Sequence, residues 1–269
     1  MKPSYSLAQL TALHLNPPQM VELAAGAGYD QVGVRLLPAA PGGVAYPLME
    51  DRAMLRETLA WMKDTGVKIF DLELIRLGPA FDPADYRAFF EVGAQLGAKA
   101  VLVVGDDPEE ERLVEHYARL CDALRPYGLS ADLEFMPWTA VPDLDSALRI
   151  VSRADRNNGG ILVDALNFDS SAGDPAQLRR IPRQWLHYAQ LCDGPAERPD
   201  NREGLRQAAR GERLLPGEGA IDLPGIWRNL PEDLPVSIEI PNDRRQARLG
   251  ARAWARAALQ AAKSTLGHA

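Results

Sequence analysis

Residues 82–128, DPADYRAFFEVGAQLGAKAVLVVGDDPEEERLVEHYARLCDALRPYG, contain two helix patterns around one strand pattern. Each helical stretch, 82–97 and 107–128, opens on Asp-Pro and closes on Gly. Asp caps free amide groups, Pro needs no donor in a first turn, and Gly accepts the left-handed conformation past the end. Between them AKAVLVVG is a short apolar run of strand length. Working outward, the same alternation continues in both directions. Strand-like runs recur as YSLAQLTAL, QVGVRLL, VKIFDLELI, AKAVLVVG, LSADLEFM, GILVDAL, WLHYAQLC and PVSIEI. A further helix over 16–28 has Asn16 as its cap, Pro17 in its first turn and glycines at its end.

Strand and helix in alternation imply parallel strands joined by crossover helices. Eight such units within 269 residues suit a closed (β/α)8 TIM barrel better than an open doubly wound sheet. No GxGxxG turn follows the first strand, which also disfavours a dinucleotide-binding sheet. The sequence has no linker, so the expectation is one α/β domain over 1–269. The segment 243–265 is expected to be a closing helix, capped near Asn242 or Asp243.

Composition narrows the partners. A formal charge of −7 argues against a nucleic-acid or anionic-membrane surface. No apolar run approaches the roughly 20 residues of a membrane span. The N-terminal residues lack the basic and apolar regions of a secretory signal. The two cysteines, Cys121 and Cys192, make no disulfide framework. A reduced, cytoplasmic protein acting on a small molecule is expected; the sequence leaves a homo-oligomer open.

In such a barrel the C-terminal strand ends open into the mouth where chemistry occurs. Four consecutive strands end in residues that an apolar core would not choose. The fifth gives Glu134, the sixth Asp164, the seventh Gln190 and the eighth Glu239. Three carboxylates gathered in a low-dielectric site repel one another, and a divalent cation with oxygen ligands resolves the conflict. Any one of these residues alone reads first as a capped strand end or as half of a salt bridge with a helix-borne arginine. Together on adjacent strands they point to a shared metal site. An amide ligand favours Mg²⁺ or Mn²⁺ over Zn²⁺.

The motifs LEFMPW, LVDALNF, YAQLCDGP, RLLPGEGAIDLPGI and SIEIPND resemble those of the xylose isomerase-like TIM-barrel superfamily, the sugar phosphate isomerase/epimerase group. In that group the metal is held by Glu, Asp, His and Glu after strands five to eight, which by motif fall on Glu134, Asp164, Gln190 and Glu239. Gln190 therefore replaces the usual His, as in bacterial 3-dehydroshikimate dehydratases, whose ending is similar to SIEIPND. Asn167 replaces a His that in the group contacts substrate and moves protons, and an amide does neither acid nor base work near neutral pH. The chemistry the resemblance implies is proton abstraction next to a carbonyl, with Glu134 on one face and Glu239 on the other. The outcome is isomerisation or epimerisation of a small polyhydroxylated ketone, aldehyde or keto acid. Dehydration is the alternative, and a barrel that binds a metabolite without turnover is a third. The multi-zinc DNA-repair branch does not fit, because the chain has four histidines and none at a ligand place.

Supporting residues are also expected. Glu73 either contacts a substrate hydroxyl or pairs with Arg76. Asp193 is expected beside the ligands as an orienting partner, and Trp138 as an apolar wall or as core. His187 lies at odd spacing from Gln190, which predicts a structural residue facing the helix layer. Arg202, Arg206 and Arg210 share a helical face, either a solvated surface or part of the site. Arg213, just beyond it, is expected to bind a substrate carboxylate or phosphate.

Overall fold

A computed structural model describes residues 3–268. Its strands β1 (Tyr5–Leu7), β2 (Gln31–Arg35), β3 (Lys68–Leu77), β4 (Ala100–Gly105), β5 (Ser130–Glu134), β6 (Gly159–Asp164), β7 (Ala189–Leu191) and β8 (Val236–Ile238) pair in chain order. Every pair is parallel, and β8 pairs with β1 to close the barrel. Each apolar run supplies one strand, but some strands are shorter than their runs. After β1 the chain turns into a 3-10 segment at Gln9–Ala12. Thr11 fixes this turn over the end of β8, its hydroxyl donating to the Ile238 carbonyl and accepting from the Ile240 amide.

The helices are α1 (Pro17–Ala27), α2 (Arg52–Thr65), α3 (Arg87–Leu96), α4 (Glu110–Leu124), α5 (Leu144–Ala154), α6 (Ala165–Ser170), α7 (Arg202–Gly211), α8 (Leu223–Trp227), α9 (Asp243–Leu249) and α10 (Ala251–Thr265). Asn16 caps α1 in a reciprocal pair with Gln19, and Gly28 ends it in the left-handed conformation. The stretch from 107 starts its helix later than the Asp-Pro pattern predicts. Asp107 instead accepts from the Glu109 amide and pairs with Arg112 at 2.6 Å. The expected single helix over 243–265 is two helices. Gly250, at φ 79° and ψ 153°, takes a conformation essentially reserved for glycine and turns α10 onto the barrel. Asn242 caps α9, accepting from the Arg245 amide.

Strand parity separates two layers. Leu133, Ile161, Val163, Ala189, Leu191 and Ile238 point outward into the main core beneath the helices. Leu102, Val104, Leu162 and Tyr188 fill the barrel with Phe70, Leu74, Ala100 and Met136. Glu134, Asp164, Gln190 and Glu239 share the inward parity, which is why four separate elements deliver them to one place. Among the described residues no helix is long and apolar enough to cross a membrane. Both cysteines are buried and unpaired.

Candidate metal centre and substrate pocket

Strand β6 ends on Asp164, which then caps α6 by accepting from the Asn167 amide at 2.9 Å. One residue thus stops the strand, starts the helix and points its second oxygen into the mouth. Asp164 and Gln190 are register partners, and Gln190 pairs on its other side with Ser237, two residues before Glu239. Glu134, Asp164 and Glu239 each offer an oxygen, all within 4.8 Å of one another. All three are buried, Asp164 completely. The Gln190 amide donates to Glu239 Oε1 at 3.1 Å. Its own oxygen is buried without a hydrogen-bond partner. Three converging carboxylates and one uncommitted amide oxygen form a donor set that fits a hard divalent cation.

Arg213 is the main surprise. The expectation that it binds a substrate anion is not met. Its guanidinium is buried, pairing with Asp164 at 2.6 Å and with Glu239 at 2.9 Å. It also donates to the Ala209 carbonyl at 2.8 Å. Burial works against its charge, but the pull of Asp164, Cys192 and Glu239 prevails and holds the proton firmly. Asp164 therefore faces both the candidate cation position and an arginine. Three carboxyl groups share one guanidinium, and the shortage of positive charge shows in the acids. Burial first, then repulsion from Glu239 and Asp164, pushes Glu134 well above the ordinary carboxylate range. Glu239 is pushed up to about 7, again mainly by burial, with Arg213 opposing.

The remaining expectations divide. Asn167 is at the site: its amide donates to Glu134 Oε1 at 2.7 Å, and its oxygen is buried without a partner. Trp138 lines the pocket with Leu10, Leu13, Val44, Leu74 and Met136. Glu73 does not reach the pocket. It is fully buried, pairs with Arg35 at 2.5 Å and accepts from the Gln9 amide at 3.1 Å. Arg76 pairs with Asp106 instead, at 2.9 Å. Asp193 touches no ligand residue. Its two oxygens accept from the amides of Gly194, Gly217, Gly219 and Ile221, which fixes the loop after Arg213.

The expectation that His187 faces the helix layer is not met. Its Nδ1 lies 2.7 Å from Asp132, inside the floor of the barrel. A side chain at Gly160 would meet both groups at 2.6 Å, so only glycine leaves room. The parity rule fails because β7 begins at Ala189, and His187 sits in the bend before it. Sequence reasoning also missed Arg35, although it ends β2, the same strand-end signal that found the acids.

The pocket above this centre has a cavity of about 240 Å³, with Glu134, Asn167, Arg213 and Glu239 at its polar end. The description "xylose isomerase-like TIM barrel" matches residues 21–265 of the chain. The chain belongs to that family. The xylose isomerase-like barrel is 26% identical over 244 residues to a 3-dehydroshikimate dehydratase of Pseudomonas aeruginosa, matching 84% of this chain and 36% of that protein. The chain thus spans about a third of the length of that dehydratase. An inosose isomerase of Bacillus subtilis is 25% identical over 149 residues, covering 52% of this chain and 51% of the isomerase. A solved structure of the IOLI protein with a bound zinc atom superposes with a TM-score of 0.80 at 21% identity, covering 98% of both chains. The family accounts for the fold and for the direction in which the strand ends point.

Proposed function

We propose that this xylose isomerase-like barrel is a divalent-metal-dependent enzyme that moves a proton next to the carbonyl of a small polyhydroxylated substrate, as an isomerase or epimerase. The observation that carries the reading is the convergence of Glu134, Asp164 and Glu239, beside a Gln190 whose amide donates to Glu239 and whose oxygen is buried without a partner. These four residues would hold the cation, with Mg²⁺ or Mn²⁺ favoured by the oxygen donors. A bound divalent cation supplies Lewis-acid polarisation of the substrate oxygen.

Glu134 and Glu239 supply the acid–base work. Burial holds both above the usual carboxylate range, Glu239 at about 7, and a group that titrates near the working pH is effective in general acid–base catalysis. Glu134 keeps one oxygen on Asn167 and has its second for a substrate proton. Asn167 positions Glu134 and does not itself carry a proton. Arg213 fixes Asp164 and Glu239, and Trp138 with its apolar neighbours excludes water from one wall.

A dehydratase of the 3-dehydroshikimate kind is the second reading. It is supported by the amide at Gln190 and by the match over 84% of the chain to proteins of that name. In that case the proton leaves as before, and a β-hydroxyl departs instead of a proton returning.

The test is calorimetric titration of the metal-free protein with Mn²⁺, beside Asp164→Asn and Glu239→Gln. The expected result is about one ion per chain for the wild type and a loss of at least about tenfold in affinity for each variant. Metal binding needs ionised carboxylates, so binding releases protons. Affinity falls as the pH drops through about 7, where Glu239 takes up its proton. Binding that is unchanged between pH 6 and pH 8, or unchanged in both variants, overturns the site. Exchange of solvent deuterium into inosose or 3-dehydroshikimate then separates an enzyme from a binding protein.

A further inference from the structure

Four arginines line the pocket: Arg35, Arg76, Arg210 and Arg213. Three are neutralised by the protein itself. Arg35 is tied to Glu73, Arg76 to Asp106 and the Ala39 carbonyl, and Arg213 to Asp164 and Glu239. Arg210, in the last turn of α7, has no hydrogen-bond or ion-pair partner among the described residues. Its helix neighbour Glu203 is engaged by Arg206 at 3.4 Å. Burial and the like charges of Arg206, Arg76 and Arg35 lower the affinity of Arg210 for its proton. A guanidinium beside other cations and without a carboxylate of its own is a ready partner for an anion.

From this placement we infer that Arg210 is a specificity residue, binding an oxyanion of the substrate, a carboxylate or a phosphate, in the cavity it shares with the acidic centre. The substrate is then a small polyol or ketone that carries an acidic group besides its reacting carbon. A guanidinium on a helix end holds such a group in two parallel hydrogen bonds. Arg210 is the lining arginine without a carboxylate of its own among the described residues, so an anionic group of the substrate pairs there. The inference rests on the proposed function only in taking this cavity as the substrate site.

The experiment compares three ring polyols that differ in charge: shikimate with a carboxylate, myo-inositol 1-phosphate with a phosphate, and neutral myo-inositol. Affinities are measured by titration of the whole chain in Mn²⁺ and in EDTA, for wild type, Arg210→Gln and Arg210→Lys. The expected result is that one anionic polyol binds at least about tenfold tighter than myo-inositol, the tighter one naming the group. Arg210→Gln should abolish that preference with Mn²⁺ uptake unchanged, and Arg210→Lys should restore part of it. Equal affinities in the wild type, or a preference that survives Arg210→Gln, overturn the inference. Loss of Mn²⁺ binding in the wild type with the anion preference intact would sink the metal reading alone.

Discussion

Asp71 lies inside the barrel on β3, fully buried, and neither carboxylate oxygen has a hydrogen-bond partner. Its oxygens sit where a side chain at Gly33 of β2 would go, 2.8 Å from that position. Burial, helped by Glu73, Glu239 and Asp132, pushes its carboxyl well above the ordinary range. The linkage follows from that direction. The unfolded chain ionises Asp71 near its ordinary value, whereas the folded chain holds the proton to higher pH. Stability therefore falls as pH rises above about 4, the ordinary Asp value. Asp71→Asn removes the ionisation but keeps the shape. The variant should melt with the wild type near pH 4 and be more stable at pH 8 by on the order of 1–3 kcal/mol. Thermal unfolding at the two pH values checks it, and a variant that is less stable at pH 8 would refute the assignment. Arg213 illustrates the other limit of a single residue. Its chemistry was legible as anion binding, but the anions are Asp164 and Glu239, which lie far away in sequence.

At the scale of elements, strand and helix positions were legible because hydrophobic period is a local property. Helix caps were legible for the same reason, as at Asn16. Breaks were not: the Gly250 that divides α9 from α10 has Leu249 and Ala251 on either side, a context that reads equally well as continuous helix. The loop after β7 shows what an element needs beyond its own sequence. Gly217 and Gly219 donate to Asp193, and Leu214 pairs with Asp193 in an antiparallel bridge, so one carboxylate holds the segment that carries Arg213. Asp193→Ala removes an acceptor for four amides. The expected cost is roughly 2–3 kcal/mol, since hydrogen bonds to charged groups are among the stronger ones. Proteolysis should open the chain near 212–222 before the rest of the barrel. Mn²⁺ affinity should fall only modestly, because Asp193 contacts none of the four candidate ligands. A loss as large as that of Asp164→Asn would instead make Asp193 part of the metal centre.

Over the whole molecule, the two ends of the barrel carry opposite assignments. The C-terminal end gathers Glu134, Asp164, Gln190 and Glu239, and these were readable because inward parity and strand order are both fixed by the sequence. The counter-charges were not readable, since Arg35 meets Glu73 only through the register of β2 on β3, and Arg213 meets Asp164 only when the loop after β7 folds over β6. The floor is held by Asp132 and His187, whose separation in sequence hid their pairing in the same way. Asp132 is fully buried, accepts from the Ser130 hydroxyl at 2.6 Å and faces His187 at 2.7 Å. Burial disfavours the imidazolium and Arg183 repels it, but the charge and hydrogen bond of Asp132 prevail and raise the His187 pKa. A raised histidine stabilises the fold below its unfolded value of about 6.5 and loses that contribution as pH climbs through the folded value. His187→Gln keeps a donor for Asp132 without the charge. Its deficit against the wild type should be largest near pH 6, about 1–2 kcal/mol on the usual scale of charge-assisted hydrogen bonds, and should shrink steadily toward pH 9. Chemical denaturation across that range measures it. Because the pair lies at the floor, Mn²⁺ affinity in the mouth should be unaffected at every pH. A deficit that grows with pH would mean that His187 is neutral in the fold and that Asp132 is stabilised by other groups.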